Sequence, residues 1–249
     1  MQRVDYDDVA ATYDRRYDRN RYEQIGERLR AFIGQDRNVD VAEVGCGTGH
    51  WLSEIEGDVR SIVGMDLSLG MLRTAVARVA TVPLVRARAE YFPFASSSFD
   101  RVFCINALHH FATPGLFVRE VRRVLRPGGA VMNIGLDPHL GTDHWWVYDF
   151  FPSAPEADRA RYPSAASLRR QLEEAGFTSI TTEVAQHIPA AVPFEIAREH
   201  GYLDRRSTSQ LMVISDAEYE AGIRRMENEK PVLRADLRLY ATVGSVARD

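Results

Sequence analysis

The sequence contains only two cysteines in 249 residues, Cys46 and Cys104. We interpret both as small packing residues and not as a disulfide pair, because one lies in a glycine-rich turn and the other in a strongly apolar stretch. No run of 18 apolar residues occurs, and residues 1–8 lack the apolar segment of a secretory signal. We therefore expect a cytoplasmic protein without a membrane partner.

A strong charge of either sign is also lacking. The 31 basic and 35 acidic residues give a net charge of −4, which provides no general attraction to nucleic acid. There is no internal repeat and no low-complexity segment, and 45% of the residues are hydrophobic. These values predict one globular α/β domain over residues 1–249, either a monomer or a homodimer.

The most informative stretch of the sequence is a strand–turn–helix pattern over residues 39–50. An apolar strand is followed by three alternating glycines, Gly45, Gly47 and Gly49, and a helix is predicted from about His50. Such a turn brings bare main chain and free N–H groups of a helix start against an anionic ligand. Phosphate- and dinucleotide-binding turns look alike, and the glycines could also serve packing alone.

A second predicted strand over residues 61–66 ends in Asp66. This spacing after the glycine turn is close to that at which an acid binds ribose hydroxyls. A nicotinamide-binding turn would have its third glycine at position 50, where this chain has His50. The glycine register therefore disfavours a nicotinamide-dependent dehydrogenase.

Five ordered blocks resemble the class I S-adenosylmethionine-dependent methyltransferases. Within that class the chain is similar to methyltransferase type 11 and the ubiquinone/menaquinone methyltransferases. The blocks span residues 43–49, 64–68, 89–94, 98–111 and 124–129. The resemblance covers roughly residues 39–136, and it implies S-adenosyl-L-methionine as cofactor and S-adenosyl-L-homocysteine as product.

Strand and helix patterns alternate along the chain, which predicts a parallel sheet with helices on both faces. The resemblance implies an α/β, Rossmann-like, seven-stranded sheet of order 3-2-1-4-5-7-6 with strand 7 antiparallel. Residues 39–136 would form the cofactor-binding core, and residues 137–162 and 189–230 would be substrate-cap insertions over the carboxyl edge. Helices are predicted over residues 5–18 and 21–33. The N-terminal part of the chain, residues 1–34, is either a lid, as in the family, or a packed extension.

The resemblance also assigns cofactor contacts. The glycines would approach the methionine and ribose portions, and Asp66 would accept hydrogen bonds from the ribose diol. Glu43 would face the amino-acid portion, although it could instead cap the N–H groups of the turn. The predicted cofactor-binding residues are Tyr13, Glu43, Gly45, Cys46, Gly47, Gly49, Asp66, Leu67, Met71, Arg88, Ala89, Glu90 and Asn106.

Arg88 departs from the family pattern, which usually has an acid there to accept from the adenine amino group. Arginine has only hydrogen-bond donors and cannot take that role. The adenine contact at Arg88 is therefore the weakest part of the resemblance.

The predicted catalytic residues are His109, His110 and His144, which would orient the acceptor or remove its proton. For the adjacent pair, packing is the alternative. Trp145, Trp146 and Tyr148 would line the acceptor pocket, or form an ordinary buried cluster. No metal site is expected, because adjacent histidines diverge and no short ligand spacing occurs.

The function predicted from these features is O- or N-methylation of a small molecule. The alternatives are C-methylation or non-methylating chemistry on the same fold, and a non-catalytic cofactor-binding module.

Overall fold

In the computed structural model, which describes residues 6–7, 9–10, 12–19 and 22–248, strands and helices alternate through the first half of the chain. The described strands, β1 to β8 in chain order, are Asp40–Val44, Ser61–Asp66, Leu84–Arg86, Phe99–Ile105, Leu125–Leu136, His144–Trp145, Thr178–Pro193 and Val232–Ser245. The described helices, α1 to α11, are Arg15–Arg19, Glu23–Ile33, His50–Ile55, Leu69–Arg78, Pro114–Val124, Trp146–Phe150, Ala154–Arg161, Ala165–Glu174, Phe194–Glu199, Ser209–Val213 and Asp216–Glu229.

The strands form one sheet of order β3-β2-β1-β4-β5-β8-β6, with β7 paired to β8. The first five strands in this order are parallel, and β8 is antiparallel to β5, β6 and β7. With the two-residue strand β6 set aside, the predicted order of seven strands with one antiparallel is confirmed. The carboxyl ends of β1, β2 and β4 therefore meet at one edge, where open α/β sheets bind ligands.

Two apolar cores cover opposite faces of the sheet. Successive strand residues point to opposite faces, so Val41 joins the core under α2, α3 and α4, while Ala42 joins the core under α5 and α8. Central strands of this kind are apolar on both sides, and Val102 and Phe103 of β4 are fully buried. This packing holds the turns at the carboxyl edge on a rigid base.

The two predicted insertions pack on each other and form a third apolar cluster. It contains Trp146 and Phe151 from the first insertion, Phe194 and Met226 from the second, and Leu233 of β8. The strands β7 and β8 continue as an antiparallel pair beyond the end of β5, which pairs only with residues 239–245 of β8. We call the end of this strand pair and the cluster together the cap.

The local sequence determines some helix starts, but not the N-terminal conformation. Ser68, Ser164 and Ser215 each cap the start of a helix with the side-chain oxygen. The predicted helix over residues 5–18 is instead a series of turns followed by the short α1, and residues 1–5, 8 and 11 lie outside the described part. Described side chains of this stretch, such as that of Asp14, bond to distant segments of the chain. These bonds override the local helical pattern.

Two strands of the sheet are long. The strand β5 begins at Leu125, and β7 continues to Pro193, into the predicted insertion of residues 189–230. Pairing with β8 along the whole of β7 explains its length. In the described part of the chain, no helix has both the length and the apolar character needed to cross a membrane.

Candidate active site

The glycine turn at the end of β1 is fastened to the end of β2. The N–H groups of Gly45 and Cys46 both donate to the carbonyl of Met65, at 2.7 and 3.1 Å. Gly45 has a φ of +75°, and a Cβ atom there would lie 2.3 Å from the Cβ of Ala107. Gly47, with a φ of +52°, has only a ring carbon of Tyr13 near its Cβ position. Glycine is therefore needed at both positions, and the main chain at Gly47 is open to a ligand.

Asp66 sits beside this turn with both carboxylate oxygens in use. One accepts from the N–H of Gly47 and the other from the N–H of Ser68, each at 2.8 Å. Partial burial raises the pKa of this carboxyl, and the main-chain hydrogen bonds act in the opposite direction. Each carboxylate oxygen can accept a second hydrogen bond, so Asp66 has the capacity to bind a ribose diol.

Glu43 is a buried carboxylate that lacks a compensating partner. It is 1% exposed, and its Oε2 atom has no hydrogen-bond partner among the described residues. Burial raises the pKa of this carboxyl well above its usual range, and the nearby charge of Asp66 adds to the effect. The N–H groups of Gly45, Cys46 and Gly47 donate elsewhere, so capping of the turn does not explain Glu43. A cationic ligand group would compensate it.

The N-terminal segment of residues 6–19, called the arm below, lies across the carboxyl edge. Asp14 accepts from the hydroxyl of Thr48 in the glycine turn, and from Arg78 of α4 at 2.7 Å. Asp7 accepts from the main chain of Gly70 at 2.8 Å, at the start of α4. Tyr17 stacks on His50 at a centroid distance of 3.7 Å. The arm therefore contacts the starts of both α3 and α4.

Three of the predicted cofactor contacts differ in their exposure and partners, namely Leu67, Met71 and Arg88. Met71 is buried under Val9 and Ala10 of the arm, and Leu67 remains 41% exposed. Arg88 is half-exposed and lies 3.3 Å from Glu90. Arg88 and Glu90 thus bond to each other.

Glu90 is also engaged on its other side. Its buried carboxylate accepts from the main chain of Ala112 at 2.7 Å and of Thr113 at 3.3 Å. Glu90 thereby holds the entry to α5, and Ala89 beside it is buried. Asn106, at the end of β4, adopts a φ of +52° and donates its N–H to Ile134. Backbone strain of this kind is often found at functional sites.

The two adjacent histidines have different partners. The Nε2 atom of His110 lies 2.7 Å from the phenol oxygen of Tyr6 in the arm. The Nε2 atom of His109 lies 3.1 Å from the phenol of Tyr162, and the two rings stack at 3.9 Å. Burial, aided by the neighbouring His110, lowers the pKa of His109 well below its usual range, so His109 is uncharged near neutral pH.

A buried polar network lies behind His109, and it was not predicted from the sequence. The amide of Gln210 donates to the Tyr162 phenol at 3.1 Å and to Asp158 at 2.9 Å. Asp158 is fully buried, pairs with Arg161 and accepts from Tyr148. These partners lie up to 52 residues apart, so no local pattern could have identified them.

A cavity of about 550 Å³ is enclosed by the arm, the end of β4 and the cap. Tyr6, Tyr13 and Asn106 line it on the side of the glycine turn, and His109 and Tyr162 also belong to the lining. Trp145 and Trp146 line the cap side, together with the paired strands β7 and β8.

Three predicted residues have a different position. Tyr148 bonds to Asp158 outside the cavity lining, and His110 lies behind Tyr6. His144 is exposed and faces Asp149 at 3.8 Å, a position that gives no support to a catalytic role. Cys46 and Cys104 are buried and free, and the described residues contain no cluster of three metal-ligating side chains.

Residues 42–133 match the family described as a methyltransferase domain. This part of the chain is a class I S-adenosylmethionine-dependent methyltransferase domain. The resemblance predicted from the five sequence blocks is thereby confirmed, and S-adenosylmethionine is the cofactor of this domain. Its requirements agree with the residues present, because the buried carboxylate of Glu43 suits an ammonium group and Asp66 suits a diol.

The chain is similar to several methyltransferases. It is 34% identical over 109 residues to the malonyl-[acyl-carrier protein] O-methyltransferase of Erwinia pyrifoliae, over 44% of this chain and 42% of that protein. It is 26% identical over 202 residues to a demethylmenaquinone methyltransferase of Staphylococcus aureus, over 70% of this chain and 84% of that protein.

A solved structure shares the fold. The phosphoethanolamine N-methyltransferase 2 of Haemonchus contortus, in complex with S-adenosyl-L-methionine, gives a TM-score of 0.64 at 18% identity, over 97% of this chain and 57% of that chain. The chain spans less than half of the length of the first three curated relatives that it matches.

Proposed function

We propose that this methyltransferase transfers a methyl group to an oxygen or nitrogen atom of a small molecule bound in the cavity. The observation that carries the proposal is the cavity itself, because it joins Tyr13 and Asn106 of the cofactor side to the aromatic residues of the cap. A site of about 550 Å³ accommodates a small molecule and not a polymer. The name of the Erwinia relative, an O-methyltransferase, supports transfer to oxygen.

The cofactor, when bound, supplies an electrophilic methyl group on a positively charged sulfur. The protein then needs mainly to align the acceptor with that methyl group and to remove the acceptor's proton. We assign the alignment to the glycine turn and to two carboxylates, Glu43 for the ammonium and Asp66 for the ribose diol. Both stand on rigid strand ends, as precise positioning requires.

We assign the arm the role of a lid. Its contacts to Thr48, Arg78 and Gly70 hold it over the cofactor-binding turns, and its Tyr6 and Tyr13 form part of the cavity wall. A closed lid excludes water and completes the site. In this proposal residues 1–249 form one domain, in which the insertions 137–162 and 189–230 form the substrate cap.

We assign proton removal to His110. Its Nε2 atom already takes part in a short hydrogen bond with a hydroxyl, that of Tyr6, so its position suits contact with an acceptor hydroxyl or amine. His109 is a positioning residue, since it is uncharged and stacked on Tyr162. The proposal includes a cytoplasmic location and a monomer or homodimer.

The test is transfer of an isotopically labelled methyl group. The purified chain is incubated with trideuteromethyl-labelled S-adenosylmethionine and a small-molecule cell extract, and the products are analysed by mass spectrometry. We expect a labelled product of low molecular mass, which fragmentation places on oxygen or nitrogen. Label on carbon, or cofactor turnover without transfer, would support the alternative chemistries.

A further inference from the structure

One wall of the cavity is an apolar sheet surface. It consists of alternate residues of two paired antiparallel strands, namely Ile188, Ala190 and Val192 of β7 with Leu233, Ala235 and Leu237 of β8. Residues two positions apart share one face of a strand, so these six side chains form a continuous floor. Such a floor suits the apolar body of a ligand.

The charged residues around the same cavity are mostly cationic. Arg15, Arg16, Arg205 and Arg206 line it, against a single aspartate, Asp204, in the described chain. The lining therefore has an excess of three positive charges, although the whole chain has a net charge of −4. A concave site with one sign of charge attracts ligands of the opposite sign.

Arg205 is held in place on the cap side of the cavity. Its Nη2 atom donates to the carbonyl of Ile214 at 2.6 Å and lies 3.0 Å from the exposed carboxylate of Asp216. The guanidinium also lies over the ring of Tyr219, at 5.1 Å from the centroid. Its Nη1 atom is buried and has no hydrogen-bond partner among the described residues. A guanidinium that is already oriented at the wall of a cavity is suited to binding an oxyanion.

Arg16 differs from Arg205 in its position. It lies in the arm, over the ring of Tyr13 at 4.7 Å, and its side chain donates to the Tyr13 phenol. This places Arg16 beside the cofactor-binding turn, since Tyr13 contacts the Cβ position of Gly47. Of these two arginines, Arg16 lies on the cofactor side of the cavity and Arg205 on the cap side. We therefore assign recognition of the acceptor to Arg205.

We infer that the methyl acceptor is an organic anion, whose apolar body lies on the β7–β8 floor and whose oxyanion group is bound by Arg205. The inference rests on the proposed function and specifies its substrate class. Carboxylate and phosphate share the chemistry that a guanidinium recognises, and both are therefore included in the test.

The test compares acids with neutral molecules that have the same apolar body. The full chain, saturated with S-adenosylhomocysteine, is titrated calorimetrically with 3-phenylpropanoate and its amide, and with benzyl phosphate and benzyl alcohol. We expect at least one acid to bind about tenfold more tightly than its neutral partner, as a charge-assisted hydrogen bond would allow. The pair that shows the preference distinguishes carboxylate from phosphate.

Variants then assign the preference to Arg205. In Arg205→Gln the preference should fall to within about twofold, and in Arg205→Lys it should be intermediate, because lysine keeps the charge without the planar fork. The control is Arg224→Gln, which removes an exposed arginine of α11 that faces Glu220 and lies outside the cavity lining; it should bind like the wild type.

The inference is overturned if neither acid is preferred by the wild type, or if the preference persists in Arg205→Gln. Should Arg205→Gln not fold, the lysine variant and the wild type at increasing salt decide, because an ionic preference must decline in both. Binding of S-adenosylhomocysteine is measured in a separate titration of the cofactor-free chain. If the wild type does not bind S-adenosylhomocysteine, the proposed function itself is contradicted. If it binds S-adenosylhomocysteine but does not prefer either acid, only this inference is contradicted.

Discussion

The phenol oxygen of Tyr6 lies 2.7 Å from the Nε2 atom of His110, although the two residues are 104 positions apart. Burial raises the pKa of Tyr6 far above its usual range, so the phenol keeps its proton beside the imidazole. The arm thereby occupies the histidine nitrogen that an acceptor would use. Movement of Tyr6 during the catalytic cycle would expose His110 to the cavity.

Replacement of His110 by alanine tests its assigned role. General base catalysis typically contributes about 10²–10⁴-fold, so we expect His110→Ala to lower kcat at least about tenfold. The affinity for S-adenosylhomocysteine should stay within about threefold of wild type, since the assigned cofactor contacts are elsewhere. Tyr6→Phe is the companion variant, which keeps the ring and removes the hydroxyl. Full turnover of His110→Ala between about pH 6 and 9 would show that no base is needed there.

The buried carboxylate of Glu43 predicts a dependence of stability on pH. The folded protein holds this proton more tightly than the unfolded chain does, because burial raises the pKa above the ordinary value of 4.5. Stability is therefore lost as the pH rises above about that ordinary value. Glu43→Gln has no carboxyl to ionise and does not lose stability in this way. The difference between its Tm and that of the wild type should therefore increase between about pH 5 and pH 8, by roughly 2–4 °C for each kcal/mol of stability that the wild type loses.

Cofactor binding should show the opposite trend at the same residue. The ammonium of S-adenosylhomocysteine favours ionised Glu43, so the wild-type affinity should rise over this pH range while that of Glu43→Gln stays flat. Parallel melting and calorimetric titrations at several pH values measure both effects. A Tm difference that does not change with pH would mean that Glu43 is not a buried carboxyl of raised pKa.

The bonds of Asp14 predict how firmly the arm is held. Asp14→Ala removes the hydrogen bond from Thr48 and the ion pair with Arg78, together about 1–2 kcal/mol. We expect a several-fold weaker affinity for S-adenosylhomocysteine and faster hydrogen exchange in residues 6–19, without loss of the sheet. Arg30→Ala is the matched control, because it breaks an ion pair of the same length, 2.7 Å, with Glu54. Equal effects of both variants would exclude a specific role of the arm.

The sequence predicts most of the sheet, but little of the conformation of the arm and the cap. Alternation of strands and helices, with Ser68, Ser164 and Ser215 at helix starts, is local information, and the structure agrees with it. The conformation of the arm depends on Thr48, Arg78 and His110, which are distant in sequence, so the helical pattern of residues 5–18 was misleading.

The same reason explains the parts of the site that were not predicted. Tyr162, Asp158 and Gln210 are ordinary residues in their local context, and only the fold brings them together behind His109. Arg205 likewise has no motif around it. By contrast, Asp66 follows an apolar strand at a fixed distance from the glycine turn, and its proximity to Gly47 could be predicted.

The most direct test of the account is calorimetric titration of S-adenosylhomocysteine into the wild type and Asp66→Ala. Asp66 is assigned to the ribose diol, so the variant should bind more weakly by about 1.5–3 kcal/mol, the usual contribution of hydrogen bonds to a charged group. Asp36→Ala, which removes an exposed carboxylate that accepts from the nearby main chain of Asn38, should bind like the wild type. Unchanged affinity in a folded Asp66→Ala, or binding of NAD in place of S-adenosylhomocysteine, would contradict the account.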